Sequence, residues 1–215
     1  GESFAGVEQG GDVDGVDLSS LNTSAARTVA REVLKMYRDD AIALPLDALR
    51  SRLQKGDTDP IALAYRFSVD VATVLRRLAF IPDDVLPQPV GMVLCDASGS
   101  ILFIKPIPGF ALARHGEVCP LWPLFTALSR PLVPVRKQVV QMGRTPAEFE
   151  CFAYAWPYAV LGYDQDPVYR SVMLVRSGNE AAGGAPVTQV GPNCRVCPSN
   201  ACKARREPSI LSEGF

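Results

Sequence analysis

Three of the six cysteines in this chain lie between residues 194 and 202, in a segment rich in Gly, Pro, Asn and Ser. Cys194, Cys197 and Cys202 have the spacing C-x2-C-x4-C, and a C-x2-C turn brings two thiolates to the same ion. Cys119 lies far upstream and, like Cys197, is followed by proline, which favours a loop. We therefore expect the fold to bring Cys119 beside the other three, so that four thiolates hold a metal centre.

The spacing also bears on which metal this centre would hold. Structural zinc sites favour paired C-x2-C or Cys/His motifs, whereas this chain has one C-x2-C-x4-C motif and one distant Cys-Pro. That pattern favours an iron–sulfur cluster over zinc. Both metals stay open, as does a metal-free alternative in which the thiols or a disulfide attach the C-terminal segment.

Basic residues surround the cluster, and we expect them to lower the thiol pKa values and to offset the thiolate charge. They are Arg195, Lys203, Arg205 and Arg206. The remaining cysteines, Cys95 and Cys151, lie in apolar strand patterns and are predicted to be small buried core residues.

Catalysis is not predicted. His115 is the single histidine, which excludes an H-E-x-x-H metallopeptidase, and no G-x-S-x-G, P-loop or G-x-G-x-x-G motif occurs. A Cys119–His115 nucleophile pair is conceivable, but no motif that would stabilise an oxyanion accompanies it. We predict that His115 and Arg195 contact a bound cofactor, His115 by orienting the site or by contacting a ligand phosphate. A CoA ligand would need further basic contacts, for which Arg114, Arg136 and Lys137 are candidates.

Composition narrows the class of protein. The chain has 215 residues, 47% of them hydrophobic, and a net charge of −1, which suits a folded protein with a sizeable core. Its overall charge gives no electrostatic reason to bind nucleic acid or an anionic membrane. No apolar run approaches the roughly 18 residues of a membrane span, and no secretion signal is visible. We expect a cytoplasmic protein with reduced thiols and no membrane partner.

The first part of the chain is predicted to be helical. Residues 1–19 are rich in Gly and Asp, which predicts a flexible tail, and residues 20–81 form a helical subdomain. The predicted helices cover 21–40, capped by Thr23 or Ser24, then 46–53, and a pair within 60–78 that begins at Asp59-Pro60, with Ser68 or Asp70 as the second cap.

The pair of helices at residues 61–78 resembles a helix-turn-helix, which would contact DNA. Only Arg66, Arg76 and Arg77 are basic in this run, and apolar residues recur at helical spacing. We therefore favour a helical pair that packs its apolar stripe into a core.

The second part is predicted to be a sheet. Three prolines in residues 82–89 mark a boundary, and residues 90–210 then follow strand patterns. The predicted strands, about five in number, cover 91–96, 101–105, 135–142, 149–156 and 169–176, with a helix at 120–128 and a loop at 177–191. The predicted fold class is α+β: an N-terminal helical subdomain, then a mainly antiparallel, sensor-like sheet domain with a Cys-rich C-terminal loop.

Several of these segments together resemble a known family, the short-chain fatty acyl transcriptional regulators, which are bacterial XRE-family regulators of the RamB-like group. The segments are DPIALAYRFSV at 59–69, HGEVCPLW at 115–122, FECFA at 149–153, and GPNCRVC at 191–197 with Cys202. The resemblance covers about residues 20–210. One departure is the run Lys-Ala-Arg-Arg after Cys202, where the family tends to have Pro-Gln-Arg-Ala.

The resemblance implies a function that the residues alone do not. Residues 20–81 would match a degenerate ImmA/IrrE-like segment and 90–210 the C-terminal sensor, without the N-terminal helix-turn-helix of full-length members. It implies the effector-sensing region of a transcriptional regulator of acyl and carbon metabolism, with an acyl-CoA effector, a homodimer and DNA contact through a domain absent from this chain. The alternative is a redox or metal sensor without an organic ligand, in which the cysteine cluster is the switch.

Overall fold

The computed structural model describes residues 5–82, 85–86, 88–113, 117–143, 145–159, 162–178 and 186–211. The chain forms two compact units, Gly1–Pro87 and Gln88–Phe215, and the division falls in the proline-rich segment at 82–89. Helices make up the first unit, and the second contains a six-stranded, mainly antiparallel sheet. The predicted α+β fold class is confirmed.

Side-chain caps begin the main helices of the first unit. Thr23, Asp59 and Asp70 each accept a hydrogen bond from a backbone N–H in the first turn, at 3.1, 2.8 and 2.7 Å. Such a cap satisfies a donor that the helix itself leaves unpaired. The helices are α1 (Ala5–Glu8), α2 (Ser24–Ala43), α3 (Leu46–Leu53), α4 (Pro60–Phe67) and α5 (Val71–Ala79).

The expectation of a flexible tail at residues 1–19 needs correction where the structure describes it. Val7 of α1 is buried, and the Glu8 carboxylate accepts hydrogen bonds from the Tyr37 hydroxyl at 2.6 Å and from the Arg77 guanidinium at 2.6 and 3.0 Å. The hydrogen bonds of Glu8 to Tyr37 and Arg77 hold this segment in place. Amino-acid composition does not indicate such contacts between distant residues.

Helix α5 is buried along its length, which bears on DNA contact. Every residue from Ala72 to Ala79 is at most 9% exposed. The Arg76 guanidinium donates to both Asp40 carboxylate oxygens at 2.6 and 2.7 Å, and Arg77 binds Glu8. Because these two arginines are engaged inside the protein, α5 presents no exposed basic group. The structure supports the packing interpretation of the helix pair.

The sheet has the strand order β2-β1-β5-β4-β3-β6. All neighbouring strands are antiparallel except β6, which pairs parallel to β3. Strand β6 lies in the segment predicted as loop, and its three residues are too few to show a strand pattern. The strands are β1 (Val90–Asp96), β2 (Ile101–Lys105), β3 (Val135–Gln141), β4 (Ala147–Ala159), β5 (Val168–Ser177) and β6 (Thr188–Val190).

One face of the sheet packs against helix α6 (Pro123–Leu128) and the residues before it. Trp122 is fully buried there, and its ring meets Phe110 edge-on at 5.3 Å between centroids. Alternate residues on the other face, such as Met92 and Leu174, are also buried. Among the described residues, no helix has the length and apolar character needed to cross a membrane.

Candidate functional site

The C-x2-C segment forms a tight turn directly after β6. The Cys197 N–H donates to the Cys194 carbonyl at 3.3 Å, and the Asn193 side chain accepts from the Val196 N–H at 3.1 Å. Cys194 and Cys197 are buried, while Cys202 is partly exposed. The Asn193 side chain thus helps to shape the turn that holds two of the predicted ligands.

Gly191 is the point at which the upstream and downstream cysteine segments meet. Its carbonyl accepts a hydrogen bond from the Trp122 indole N–H at 2.9 Å. Its N–H interacts with the Cys119 thiol. A Cβ at this position would lie 2.9 Å from both Cβ and Sγ of Cys197, closer than Cβ atoms approach other atoms. Glycine is therefore required for Cys119 and Cys197 to lie on either side of this residue.

The electrostatics of Cys119 report its neighbours. Burial raises the pKa of the Cys119 thiol, the nearby Cys197 and Cys202 add to that increase, and the Gly191 and Leu121 N–H groups oppose it. Cys119 and Cys197 thus both lie against Gly191. Lowered thiol pKa values were expected from the adjacent arginines; for Cys119 this is wrong, because burial outweighs any favourable charge.

All six cysteines are free thiols. Within the described ranges, no three His, Cys, Asp or Glu side chains are arranged to hold a metal ion. The fourfold ligation by Cys119, Cys194, Cys197 and Cys202 remains a prediction, as does the identity of the metal.

Arg205 organises the cysteine turn, a role that the sequence did not reveal. Its guanidinium donates to the carbonyls of Cys194 at 3.2 Å, Cys197 at 3.1 Å and Glu207 at 3.0 Å, and also to that of Ser199. These carbonyls are backbone acceptors in a segment without regular secondary structure, where a side chain can supply donors that a helix or sheet would otherwise provide. The five N–H groups of arginine suit this multiple contact, which a lysine could not make.

Arg206 joins the C-terminal segment to the loop that precedes Cys119. Its guanidinium donates to the Val118 carbonyl at 2.6 Å and pairs with Glu117 at 3.4 Å. Two arginines of the basic run, Arg205 and Arg206, therefore contact carbonyl oxygens and a carboxylate. The position of Arg206 close after Cys202 was a sequence signal for this contact. The same position equally suited the expected role of offsetting the charge of the thiolates.

Of the predicted cofactor contacts, the structure describes Arg195 but not His115. Arg195 is exposed, and its carbonyl accepts from the Ile210 N–H at 2.9 Å. Arg114 and His115 lie outside the described residues. Cofactor binding by His115 and Arg195 stays a prediction.

Arg136 and Lys137 do not form one phosphate pocket. Arg136 pairs with Glu150 at 2.5 Å, whereas the Lys137 ammonium contacts the Thr126 hydroxyl of α6 at 3.5 Å. The two are consecutive residues of β3, so their side chains point to opposite faces of the sheet.

Cys95 and Cys151 are confirmed as core residues. Both are fully buried, and burial raises the pKa of Cys95 to about 12 and that of Cys151 further. Neither thiol is poised for chemistry near neutral pH.

Two cavities lie in the sheet unit. One of about 340 Å³ is lined by Ile104, Pro106, residues 110–113 and Pro192, which follows Gly191. The other, of about 430 Å³, includes Glu117, Phe125 and Arg206 in its lining. The first has only apolar side chains in its lining, and the second contains charges of both signs.

The chain is similar in sequence to one protein family and in fold to a solved structure. The sequence model of a family described as "Short-chain fatty acyl coenzyme A regulator, C-terminal" matches residues 87–213. The solved structure of a Mycobacterium tuberculosis transcriptional regulator is similar in fold, with a TM-score of 0.69 and 24% sequence identity. The similarity covers 89% of this chain and 62% of that chain, so this chain spans less than two thirds of its length. No curated protein matches the chain.

Proposed function

The chain belongs to the family of short-chain fatty acyl coenzyme A regulators, and we propose that it is the effector-sensing region of a transcription factor of short-chain acyl metabolism. The observation that carries this proposal is the family match over residues 87–213, which includes the whole sheet and both cysteine segments. Membership in a regulator family also agrees with the prediction that the chain is not an enzyme. Since α5 has no exposed basic group, we assign DNA contact to a different part of the full-length regulator.

The effector that we propose is a short-chain acyl-CoA. The family description supports this class of ligand, and the exposed Arg195 and Lys203 offer positive charge for CoA phosphates beside the cysteine turn. Calorimetry with acetyl-CoA, propionyl-CoA and free CoA tests the proposal. We expect saturable binding that is tighter for the acylated forms, and an absence of binding to all three would refute the effector.

A second proposal is that Cys119, Cys194, Cys197 and Cys202 ligate a metal, with an iron–sulfur cluster preferred over zinc. Its support is that Cys119 and Cys197 both lie against Gly191, together with four thiol donors, which are the ligands that iron–sulfur clusters and structural zinc take. Bound metal would link the two cysteine segments.

Anaerobic purification, absorption spectroscopy and metal analysis test this site. We expect substoichiometric metal in Cys197→Ser and normal loading in the control Cys95→Ala, whose thiol lies in the core. A colourless, metal-free protein that keeps its fold and its ligand response would refute the metal.

A redox sensor without an organic ligand is the alternative function. It is favoured by the three free thiols of the C-x2-C-x4-C segment, of which Cys202 is partly exposed. The two functions differ in one variant: Cys197→Ser abolishes the response of a redox sensor but leaves acyl-CoA binding in place. We further propose a cytoplasmic homodimer, for which light scattering should give twice the monomer mass.

A further inference from the structure

We infer that the apolar cavity lined by Ile104, Pro106, residues 110–113 and Pro192 binds the acyl chain of the effector, and that its occupancy is sensed at the cysteine turn. This inference rests on the proposed acyl-CoA function and assigns the acyl group to one place. We call this cavity the acyl cavity.

The lining of the acyl cavity suits an alkyl chain. Its side chains are those of Ile, Pro, Phe, Ala and Leu, and none carries a charge or a side-chain hydrogen-bonding group. Pro106 and Pro192 also lack a backbone N–H, so these two positions place no donor in the wall. An apolar group transferred from water to such a wall gains free energy in proportion to the area that it buries.

The size of the cavity separates the acyl chain from the rest of the ligand. A dry cavity of about 150 Å³ holds benzene, so about 340 Å³ accommodates a short acyl group and its thioester with space remaining. Pockets for drug-sized ligands begin at about 300 Å³, which is the lower end of the usual range. The CoA moiety is larger than this and would lie outside.

The wall formed by residues 110–113 is held in place before any ligand arrives. Gln141, which is 4% exposed, accepts from the Ala111 N–H at 3.0 Å and donates to the Ala111 carbonyl. The Phe110 ring packs edge-on against Trp122 and Phe149, with centroids 5.3 and 5.7 Å apart. A preformed wall avoids the ordering cost that a mobile segment would add to binding.

The same residues connect the cavity to the thiols. Phe110 lines the cavity and packs on Trp122, whose indole N–H binds the Gly191 carbonyl at 2.9 Å. On the opposite side, Pro192 lines the cavity and follows Gly191 directly. A chain in the cavity would contact Phe110, which packs on Trp122, and Pro192, which follows Gly191; Gly191 in turn contacts Cys119 and Cys197.

The second cavity is a poorer site for an alkyl chain. Glu117 and Arg206 both line it and form an ion pair at 3.4 Å. Burying an alkyl chain against this pair would remove water from two charges without supplying polar partners.

The test is a chain-length series measured by calorimetry on the full chain, with free CoA and acyl-CoAs of increasing length from acetyl to octanoyl. Each buried methylene should tighten binding about fourfold until the cavity is full, after which the gain should stop. Alkylation of Cys119 and Cys197 by iodoacetamide, mapped by mass spectrometry, should slow or accelerate on saturation with the best acyl-CoA but not with free CoA.

Two variants move the chain-length limit in opposite directions. Ala113→Leu fills the cavity and should shorten the longest chain that still gains affinity, whereas Leu112→Ala enlarges it and should lengthen that limit. Ala62→Leu is the matched control, because Ala62 is exposed on α4 in the helical unit. Circular dichroism checks that each variant is folded, and the opposite directions keep the test decisive if one variant is not.

The outcomes are distinguishable. Equal affinity for free CoA and every acyl-CoA, or an unchanged chain-length limit in the folded cavity variants, overturns the acyl cavity and leaves the regulator's CoA ligand standing. Length-dependent binding that shifts as stated, without any change in thiol alkylation, overturns the link to the cysteines. Failure of every acyl-CoA to bind overturns this inference together with the proposed effector.

Discussion

Substituting Gly191 by alanine should disrupt the cysteine site more than its size suggests. The added Cβ would lie 2.9 Å from Cβ and Sγ of Cys197 and 3.3 Å from the Asn193 carbonyl oxygen. The first two distances are shorter than the contacts that Cβ atoms make with other heavy atoms in proteins, so the turn that carries Cys197 must move. Because the Gly191 carbonyl also accepts the Trp122 indole N–H, movement at this residue strains that hydrogen bond as well.

The cost follows from two effects. Overpacking a well-packed site by a methyl group costs about 1–3 kcal/mol. Weakening the indole hydrogen bond adds about 0.5–1.5 kcal/mol when a buried partner is left poorly paired. We therefore expect Gly191→Ala to lower the free energy of unfolding of the sheet unit by about 1.5–4.5 kcal/mol.

Urea denaturation followed by tryptophan fluorescence measures this change, because Trp122 reports on the site directly. The matched control is Gly143→Ala in the same unit, where the added Cβ would have its nearest neighbour, the Thr145 carbonyl oxygen, at 3.9 Å. We expect that control to change stability by less than about 0.5 kcal/mol. Alkylation of Cys119 and Cys197 should accelerate in Gly191→Ala only.

A double-mutant cycle with Cys197→Ala shows whether the contact is the cause. Removing Sγ relieves part of the overlap, so the two substitutions together should cost at least about 1 kcal/mol less than their sum. Additive costs, or equal stabilities of Gly191→Ala and Gly143→Ala, would show that Gly191 does not position the cysteines.

Three further predictions concern other buried groups. Arg205→Lys should destabilise the cysteine turn by about 2–3 kcal/mol, because an ammonium cannot replace the guanidinium donors to several carbonyls. Limited proteolysis of this segment should therefore be faster in Arg205→Lys and unchanged in the control Lys203→Ala, since Lys203 is exposed. Asp40→Asn should cost about 3–5 kcal/mol in urea, because it leaves a buried guanidinium without its charge partner; the neighbouring exposed Asp39→Asn should cost less than about 0.5 kcal/mol. Burial raises the Cys95 pKa from 9.0 to about 12. The contribution of Cys95 to the free energy of unfolding is therefore fully present below pH 9 and falls by about 1.4 kcal/mol per pH unit between pH 9 and 12. Cys95→Ala should reduce that slope in urea titrations at high pH, and an unchanged slope would contradict the burial of this thiol.

Local signals made much of the fold predictable. The caps at Thr23, Asp59 and Asp70, and the hairpin at residues 90–105, depend on neighbours in sequence, and the structure confirms them. The packing of α1 and the parallel strand β6 depend on contacts between residues distant in sequence. Glu8 and Arg77 are an example, because nothing near either residue indicates that they pair.

The cysteine site shows the same limit. Residue type and proline context were enough to predict that Cys119 would approach the C-terminal cysteine segment, and both Cys119 and Cys197 contact Gly191; joint ligation of a metal by the four cysteines stays a prediction. The roles of Gly191 and Arg205 escaped prediction. A missing Cβ matters only when the opposing atom is known, and a guanidinium looks the same in sequence whether it binds a carbonyl or offsets a thiolate.

The order in which the chain is synthesised gives the parallel pairing of β3 and β6 a further meaning. Cys119 precedes Cys194 by 75 residues, which take about 4–15 s to translate at about 5–20 residues per second. Strand β6, which leads into the cysteine turn, can join the sheet edge only after β3, β4 and β5 have been made. During that interval Cys194, Cys197 and Cys202 are not yet available to Cys119. The site is among the last parts of the sheet unit to form, so a completed site marks a chain whose sheet has finished folding.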